Sequence, residues 1–263
     1  MKAVLSDKLT INYLLEGPRH APCVMLAHGV ALDLSVWNAF AAELTADYRV
    51  LRYDSRGHGG SSLGLAPFTL QDLASDAVTL LDALGIDKVH FIGLSLGGMV
   101  GMGLALDHHE RLESVAFCNA RGEATSDYRK NWEERVERVR QGGMEAIADA
   151  TVARWFTPEF PAKNPRAVQS IREMVLATPA EGYCASAEAL KGLDYARRLG
   201  ENRIRALYLG GEKDGGAPAA VVRAHHENTP NSRYVELPNT GHISVIENPA
   251  GFTAAVKGFI GEA

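Results

Sequence analysis

Cysteine is scarce in this chain, with three residues (Cys23, Cys118 and Cys184) among 263. An odd count argues against the paired disulfide framework of a small secreted domain. Cys23 and Cys118 fall within apolar runs typical of buried strands, so we expect buried thiols in a reducing compartment. No group of cysteines and histidines has the spacing of metal ligands, and no metal site is predicted.

The chain also lacks an excess of basic charge and any long hydrophobic run. Its net charge of −5 disfavours nucleic acid as a partner. No apolar run reaches membrane-spanning length, and the first residues lack the continuous apolar core of a signal peptide. We therefore expect a cytoplasmic protein with no membrane partner. A length of 263 residues, 46% hydrophobic and 22% charged, suits one large globular domain or two small ones.

What the chain does contain is a regular alternation of apolar runs and amphipathic stretches. The runs that predict strands lie at 9–15, 22–27, 48–53, 89–92, 114–119, 204–209 and 233–237. The stretches that predict helices lie at 34–44, 70–84, directly after residue 95, at 218–227 and from 249 onward. Strands and helices that alternate in this way predict a mainly parallel sheet with helices on both faces.

The alternation stops between residues 121 and 199. This segment contains charge-rich helical stretches separated by prolines, at 128–141, 144–155, 165–176 and 183–193. We therefore predict two parts: a core domain formed by 1–120 and 200–263, and a helical cap, 121–199, inserted over the functional site.

A glycine-rich turn, Gly93-Leu94-Ser95-Leu96-Gly97, separates one predicted strand from the helix that follows it. G-x-S-x-G in this setting is the nucleophile elbow, a strained turn that exposes the serine hydroxyl above the sheet. Side chains at Gly93 and Gly97 would collide there. The Leu96 N–H at the start of the helix can donate to a developing oxyanion. The alternative is an ordinary glycine-rich turn with an unreactive serine.

A serine nucleophile needs a base and an acid that orients it, and both follow Ser95 in the chain. Asp214 lies just beyond one predicted strand, at the ligand-binding edge of the sheet, and is our choice of acid. Glu212, nearer the strand, is the alternative. His242 follows the next strand and is our candidate base. Either residue alone would be an ordinary turn residue, but the order Ser, Asp, His favours a catalytic set.

The second donor of an oxyanion hole is expected in the loop after the strand at 22–27. The Val30 N–H is our choice, with the Ala31 N–H left open. We expect His28 and His58 to shape loops rather than to titrate in catalysis. We expect His225 and His226 to lie on a surface helix.

Several segments resemble the α/β-hydrolase superfamily: HGV at 28–30, DSRGHGGS at 54–61, GLSLGG at 93–98, GEKD at 211–214 and GH at 241–242. Within it, four stretches resemble 3-oxoadipate enol-lactonases: LRYDSRGHGGSS, HFIGLSLGGMVG, RWFTPEF with the following IREMVLATPAEGY, and LDALGID. The resemblance implies an α/β-hydrolase fold, with a mainly parallel eight-stranded sheet and a helical cap. It also implies a serine hydrolase that opens a lactone in the catabolism of aromatic compounds, without a cofactor.

The implied partner is a small ester or lactone that carries a carboxylate, which calls for a cation near the site. Trp132, Arg154 and Trp155 are the candidate substrate contacts, with Arg135 behind them. The alternative is that the charged stretch 129–140 forms a solvated helix face with internal ion pairs.

Other activities stay open at this point. Enol-lactonases commonly carry Asn-Ser-Leu-Gly where this chain has His28-Gly29-Val30-Ala31. A C–C bond hydrolase or a cofactor-free haloperoxidase-like esterase would use the same Ser, His and Asp. A ligand-binding receptor on a hydrolase scaffold is a third hypothesis, which the intact triad disfavours. The sequence predicts no oligomeric state.

Overall fold

The computed structural model describes residues 1–262 and contains an eight-stranded sheet. In chain order the strands are β1 (Lys2–Ser6), β2 (Leu9–Glu16), β3 (Cys23–Ala27), β4 (Arg49–Tyr53), β5 (Val89–Leu94), β6 (Leu112–Cys118), β7 (Ala206–Gly211) and β8 (Ser232–Leu237). Their spatial order is β1-β2-β4-β3-β5-β6-β7-β8. The β1–β2 and β2–β4 pairs are antiparallel and the other neighbours are parallel, which confirms the predicted mainly parallel sheet.

Helices connect the parallel strands. They are α1 (Asn38–Leu44), α2 (Leu70–Ala83), α3 (Leu96–Asp107), α4 (Ser126–Gly142), α5 (Glu145–Trp155), α6 (Phe160–Lys163), α7 (Pro165–Ala177), α8 (Ala180–Lys191), α9 (Ala219–Glu227), α10 (Ser244–Glu247) and α11 (Pro249–Ile260). Helices α4 to α8 all lie between β6 and β7 in the chain. No helix within residues 1–262 is both long enough and apolar enough to cross a bilayer.

The first strand and the first helix differ from the sequence prediction, and the short helices α6 and α10 were not predicted. Strand β1 was not predicted because it is short and mostly exposed, with Ala3 its one buried residue, so its apolar signal is weak. The predicted helix at 34–44 begins instead with a 3₁₀ turn, Leu34–Trp37, before α1. The rings of Trp37 and Phe40 both pack on Phe252 of α11, and this contact fixes the turn against the core.

The central strands are buried on both faces, as expected for parallel strands between two helical layers. Every residue of β3 and β7 is buried. Cys23 and Cys118 lie in this layer as free, buried thiols, as predicted. Burial raises the pKa of the Cys23 thiol to about 11, because the thiolate loses its hydration there. Reactive side chains can therefore reach solvent only from the residues that follow the ends of these strands.

Candidate active site

The elbow between β5 and α3 has the predicted strained geometry. Ser95 has φ 54° and ψ −112°, in the left-handed half of the backbone map that disfavours residues with a Cβ. Its N–H donates to the Cys118 carbonyl at the end of β6, 2.8 Å away. The turn therefore holds Ser95 in one position at the carboxyl edge of the sheet.

The two elbow glycines are required by close approach of backbone. A Cβ on Gly93 would lie 2.1 Å from the Gly97 carbonyl oxygen, and a Cβ on Gly97 would lie 2.1 Å from the Ala27 carbonyl oxygen. Backbone atoms cannot move aside as a flexible side chain could. The predicted collision is thus present, and it fixes how closely α3 packs on the sheet.

Gly97→Ala is expected to lower the free energy of unfolding by about 3 kcal/mol or more, because the methyl group overlaps the Ala27 carbonyl. The measurement is urea denaturation followed by circular dichroism. Gly258→Ala in α11 is the matched control, since nothing lies within 4 Å of its Cβ position. Alanine there should raise stability by about 0.5–1 kcal/mol. Equal stability of the two variants would contradict this account of the elbow.

The three residues predicted as a catalytic set meet at this edge. His242 Nε2 lies 2.9 Å from Ser95 Oγ, and His242 Nδ1 lies 2.8 Å from Asp214 Oδ1 and 2.9 Å from Oδ2. A carboxylate beside Nδ1 keeps the proton on that nitrogen and leaves Nε2 free to accept the serine hydroxyl proton. The arrangement is that of a nucleophile, a base and an orienting acid.

Asp214 is held by the loop after β7. Its Oδ1 accepts the N–H groups of Gly216 and Ala217, at 2.7 and 3.0 Å. Its Oδ2 accepts an N–H from the Asn119 side chain, at 3.0 Å. The alternative acid, Glu212, points elsewhere, because its carboxylate accepts the Asn239 N–H at 2.8 Å and pairs with a neighbouring lysine.

The loop after β3 lies against the nucleophile, since a Cβ on Gly29 would be 3.3 Å from Ser95 Cβ. Ala31, the donor left open above, is occupied: its N–H donates to His58 Nε2 at 3.1 Å. Neither the Val30 N–H nor the Leu96 N–H donates to an acceptor within residues 1–262. These two N–H groups are therefore available to a ligand beside Ser95.

His28 and His58 hold this loop from beneath. His28 Nε2 accepts the Ser55 N–H at 3.0 Å, so its Nδ1–H donates to the Gly29 carbonyl at 2.7 Å. Both rings are fully buried. Burial lowers the pKa of both histidines, in the case of His58 to about 3, since a charged ring could not be hydrated there.

His225 lies on the predicted helix α9, whose outer face is exposed as expected, but its own side chain is buried. Its Nε2 accepts the Gly122 N–H at 2.8 Å. Burial lowers its pKa as well. The helical pattern did not reveal this, because the partner is a backbone group more than a hundred residues away in the chain.

A cavity of about 250 Å³ opens in front of Ser95 and His242. The predicted substrate contacts Trp132, Arg154 and Trp155 all line it, and so does Val30. Polar and aromatic side chains also line it, among them Asn119, Arg121, Asp127, Arg135 and Tyr183. The indole of Trp155 stacks on the His242 ring, with centroids 6.3 Å apart and planes 27° apart.

More cationic than anionic side chains line the cavity. Arg121, Arg135 and Arg154 line it, and none of them lies within 4.0 Å of a carboxylate in residues 1–262. Asp127 is the carboxylate among the lining residues. Burial lowers the pKa of Arg135, whose guanidinium lies 4.9 Å from the centre of the Trp132 ring. An anion in this cavity would gain charge-assisted hydrogen bonds.

Helix α4 combines both interpretations offered for the stretch 129–140. Most of its charged residues are exposed, as the solvated-face alternative expected, but Arg135 faces the cavity. The expected ion pairs within the helix are replaced by a contact to α8, where Glu133 lies 3.7 Å from Lys191. Sequence periodicity did not identify Arg121 or Tyr183 as lining residues, since they come from separate segments that only the fold brings together.

The carboxyl end of α5 is hydrogen-bonded to the loop that carries His242. The His242 N–H donates to the Trp155 carbonyl at 2.7 Å. The Glu247 carboxylate accepts the Gly241 N–H at 2.6 Å on one oxygen and the Thr157 N–H at 2.9 Å on the other. Hydrogen bonds thus connect one wall of the cavity to the loop of His242.

No three His, Cys, Asp or Glu side chains in the part of the chain that the structure describes cluster in a way that could hold a metal ion.

Comparison with known proteins identifies the family of the chain. A family model described as alpha/beta hydrolase fold matches residues 22–249. The chain is 32% identical over 255 residues to 3-oxoadipate enol-lactonase 2 of Acinetobacter baylyi, covering 96% of this chain and 93% of that one. The crystal structure of the enol-lactonase from Burkholderia xenovorans LB400 is 37% identical, with a TM-score of 0.93 and 97% of each chain covered.

A hydrolase from Pseudomonas aeruginosa PA01 is 33% identical, with a TM-score of 0.95, over 99% of this chain and 98% of that one. The family match spans most of the chain and these relatives align along nearly all of it. The chain therefore belongs to the alpha/beta hydrolase fold family and is a hydrolase of esters or lactones.

Proposed function

We propose that this chain hydrolyses 3-oxoadipate enol-lactone, with Ser95 as nucleophile, His242 as base and Asp214 as orienting acid. The observation that supports this substrate is the set of arginines in the cavity in front of Ser95 that have no carboxylate partner. Such a set suits a lactone bearing a carboxylate. The relatives whose names state this activity, in Acinetobacter baylyi, support it. We further propose that the reaction is a cytoplasmic step in the catabolism of aromatic compounds.

The first step is acyl transfer to Ser95. His242 Nε2, 2.9 Å from Ser95 Oγ, takes the hydroxyl proton as the oxygen attacks the lactone carbonyl. The tetrahedral oxyanion accepts the N–H groups of Val30 and Leu96, each worth about 3 kcal/mol in the transition state. Asp214 stabilises the imidazolium that forms. The ring then opens as the His242 imidazolium gives its proton to the departing enol oxygen, which leaves His242 neutral for the second step. This oxygen leaves readily because an enolate is less basic than an alkoxide.

The second step releases the acid. His242 takes a proton from water, which attacks the acyl-enzyme, and the same two N–H groups bind the second oxyanion. His242 then returns its proton to Ser95. Every proton and electron pair is accounted for by these side chains and water, so the proposed reaction needs no cofactor.

We propose that the segment 121–199 is the cap of the enzyme and selects the substrate. Trp132 and Arg135 on α4 and Trp155 on α5 come from this segment, whereas the proposed triad comes from 1–120 and 200–263. The residues proposed for the chemistry and those proposed for substrate selection thus belong to different segments. Substitutions in the cap should therefore change KM for particular substrates more than they change kcat.

Turnover of the lactone beside the neutral ester p-nitrophenyl acetate tests the proposed function, with Ser95→Ala as the control for background hydrolysis. We expect kcat/KM for the lactone to be well above that for the ester, and Ser95-dependent. Ester turnover with little lactone turnover would contradict the substrate and indicate a related esterase.

Arg135→Met is expected to raise KM for the lactone by about 10-fold to 100-fold, because a hydrogen bond to a charged group contributes about 1.5–3 kcal/mol. The value of kcat should hold, since the carboxylate contact is the same in the ground and transition states. Turnover of the neutral ester should also hold. Arg138→Met is the matched control, because Arg138 is exposed on the same helix and does not line the cavity. Equal KM values for the two variants would contradict the proposed role of Arg135.

A further inference from the structure

The side chain of Asn119, which directly follows β6, joins three parts of the site. Its Nδ2 group donates to Asp214 Oδ2 at 3.0 Å and to the Gly241 carbonyl at 3.2 Å. Its Oδ1 accepts the Ser244 hydroxyl at 2.5 Å. Asn119 and Ser244 are both fully buried. The amide thus links the acid to the loop on which the base is carried.

The backbone conformation of Asn119 indicates that asparagine occurs at this position because of its side chain. Asn119 has φ 51°, in the left-handed region where glycine meets no steric penalty and other residues do. Asparagine tolerates this region better than most residues with a Cβ. A glycine would satisfy the backbone alone, whereas asparagine also supplies three buried hydrogen bonds.

The residue before it supports the nucleophile. The Cys118 carbonyl accepts the Ser95 N–H at 2.8 Å, and the Asn119 N–H donates to the Leu209 carbonyl of β7 at 2.7 Å. Two consecutive residues at the end of β6 therefore contact the nucleophile's backbone and the acid's carboxylate. The distance between these two groups is set by a single short segment of the sheet.

We infer that Asn119 is a positioning residue for the Asp214–His242 pair, an inference that rests on the proposed function. The backbone donors of Gly216 and Ala217 hold one oxygen of Asp214, and the Asn119 amide holds the other. The Ser244 hydroxyl donates to the Oδ1 atom and holds that end of the amide, while the Asp214 carboxylate and the Gly241 carbonyl, both acceptors, require Nδ2 on their side. Together they keep the carboxylate plane aligned with the imidazole while His242 carries the serine proton.

The charged and titratable groups around Asn119 come from several elements. Asp214 is in direct contact with it, and His242 is in contact with Asp214. Arg121, from the same loop, and Arg154, from α5, line the same cavity, as does Asp127 of α4. Asp214 and His242 are the two groups through which a new charge at position 119 would act on the chemistry.

Asn119→Gly removes the amide but suits the backbone, and Asn231→Gly is the matched control, since Asn231 has φ 52° in an exposed turn away from the site. We expect Asn119→Gly to lower kcat for the ester, per active site, by about 10-fold to 100-fold with KM within about threefold. Ser244→Ala should lower it by about threefold to tenfold, since the amide keeps its bonds to Asp214 and Gly241 but loses the one that holds its Oδ1 end. Active sites are counted by stoichiometric organophosphate labelling of Ser95.

Asn119→Asp gives a second readout that a merely structural role would not move. The new carboxyl would contact Asp214, and two such groups share one proton, so the protonated oxygen can donate to Asp214 in place of the amide. We expect kcat to stay within about threefold of the wild type while the pair holds this proton, and to fall as the pH rises and the proton is lost.

The inference would be overturned if Asn119→Gly kept the wild-type kcat per active site, or lowered only the number of active sites. A kcat of Asn119→Asp that followed the wild-type pH profile throughout would overturn it as well. A failure of the proposed substrate would be distinguishable from these outcomes. Wild-type enzyme that hydrolysed the ester but not the lactone would contradict the proposed substrate, while the variants could still be compared on the ester.

Discussion

Replacement of Ser95 by alanine is expected to lower kcat for the lactone by about 10⁴-fold to 10⁶-fold while leaving binding nearly intact. The nucleophile is lost, but the Val30 and Leu96 N–H groups and the cavity walls remain. The residual rate is that of water attacking a bound, polarised carbonyl. Stopped-flow kinetics for the wild type and end-point assays for the variant measure the two rates.

His242→Ala is expected to cause a loss of similar size, and the Ser95→Ala/His242→Ala double variant should lose no more than either single one. The two side chains act as one unit, because a serine without its base is no better than no serine. His20→Ala, an exposed histidine, is the control and should match the wild type. Additive losses in the double variant would mean that the 2.9 Å contact between His242 and Ser95 is not used in the reaction.

The free energy of unfolding is expected to fall as the pH drops below about 6.5, because the unfolded chain protonates His58 and the folded chain does not. The pKa of His58 is about 3 in the fold against an ordinary value of 6.5, so the loss grows from pH 6.5 down to pH 3. At pH 5 it amounts to about 2 kcal/mol for His58. His28, whose pKa burial also lowers, acts in the same direction.

Urea denaturation at pH 7.5 and pH 5.0 measures this effect. His58→Gln should reduce the difference between the two pH values by about 2 kcal/mol relative to the wild type. It should also lose stability at pH 7.5, since Ala31 loses its present acceptor. His20→Gln should keep the wild-type difference. If His58→Gln and the wild type lost the same free energy of unfolding between pH 7.5 and pH 5.0, His58 would not be the group responsible.

Much of the fold could be predicted, because parallel strands buried on both faces leave long apolar runs between turns. The elbow was equally visible, since Gly93 and Gly97 must be small for reasons of local backbone geometry. Strand β1 could not be found in this way: one buried residue in five gives no periodicity. The 3₁₀ turn before α1 also follows from tertiary packing on Phe252 and leaves no local signal.

The site divides along the same line. Ser95, Asp214 and His242 were predictable because each follows a strand at one edge of the sheet. Asn119 met the same criterion, as a polar residue that ends an apolar strand beside the elbow strand, and that signal could have identified it. The sequence favoured Val30 but left Ala31 open, because what occupies the Ala31 N–H is a bond to His58, 27 residues away.

The hydrogen bonds between the end of α5 and the loop of His242 couple the movements of these two segments. Because the Trp155 carbonyl accepts the His242 N–H, and Glu247 binds both Thr157 and Gly241, the two segments must move as one body. A displacement that widened the cavity at this end would carry His242 away from Ser95. At this end, a wider cavity and the contact between His242 and Ser95 exclude one another, so an outward movement of α5 would separate Ser95 from its proposed base.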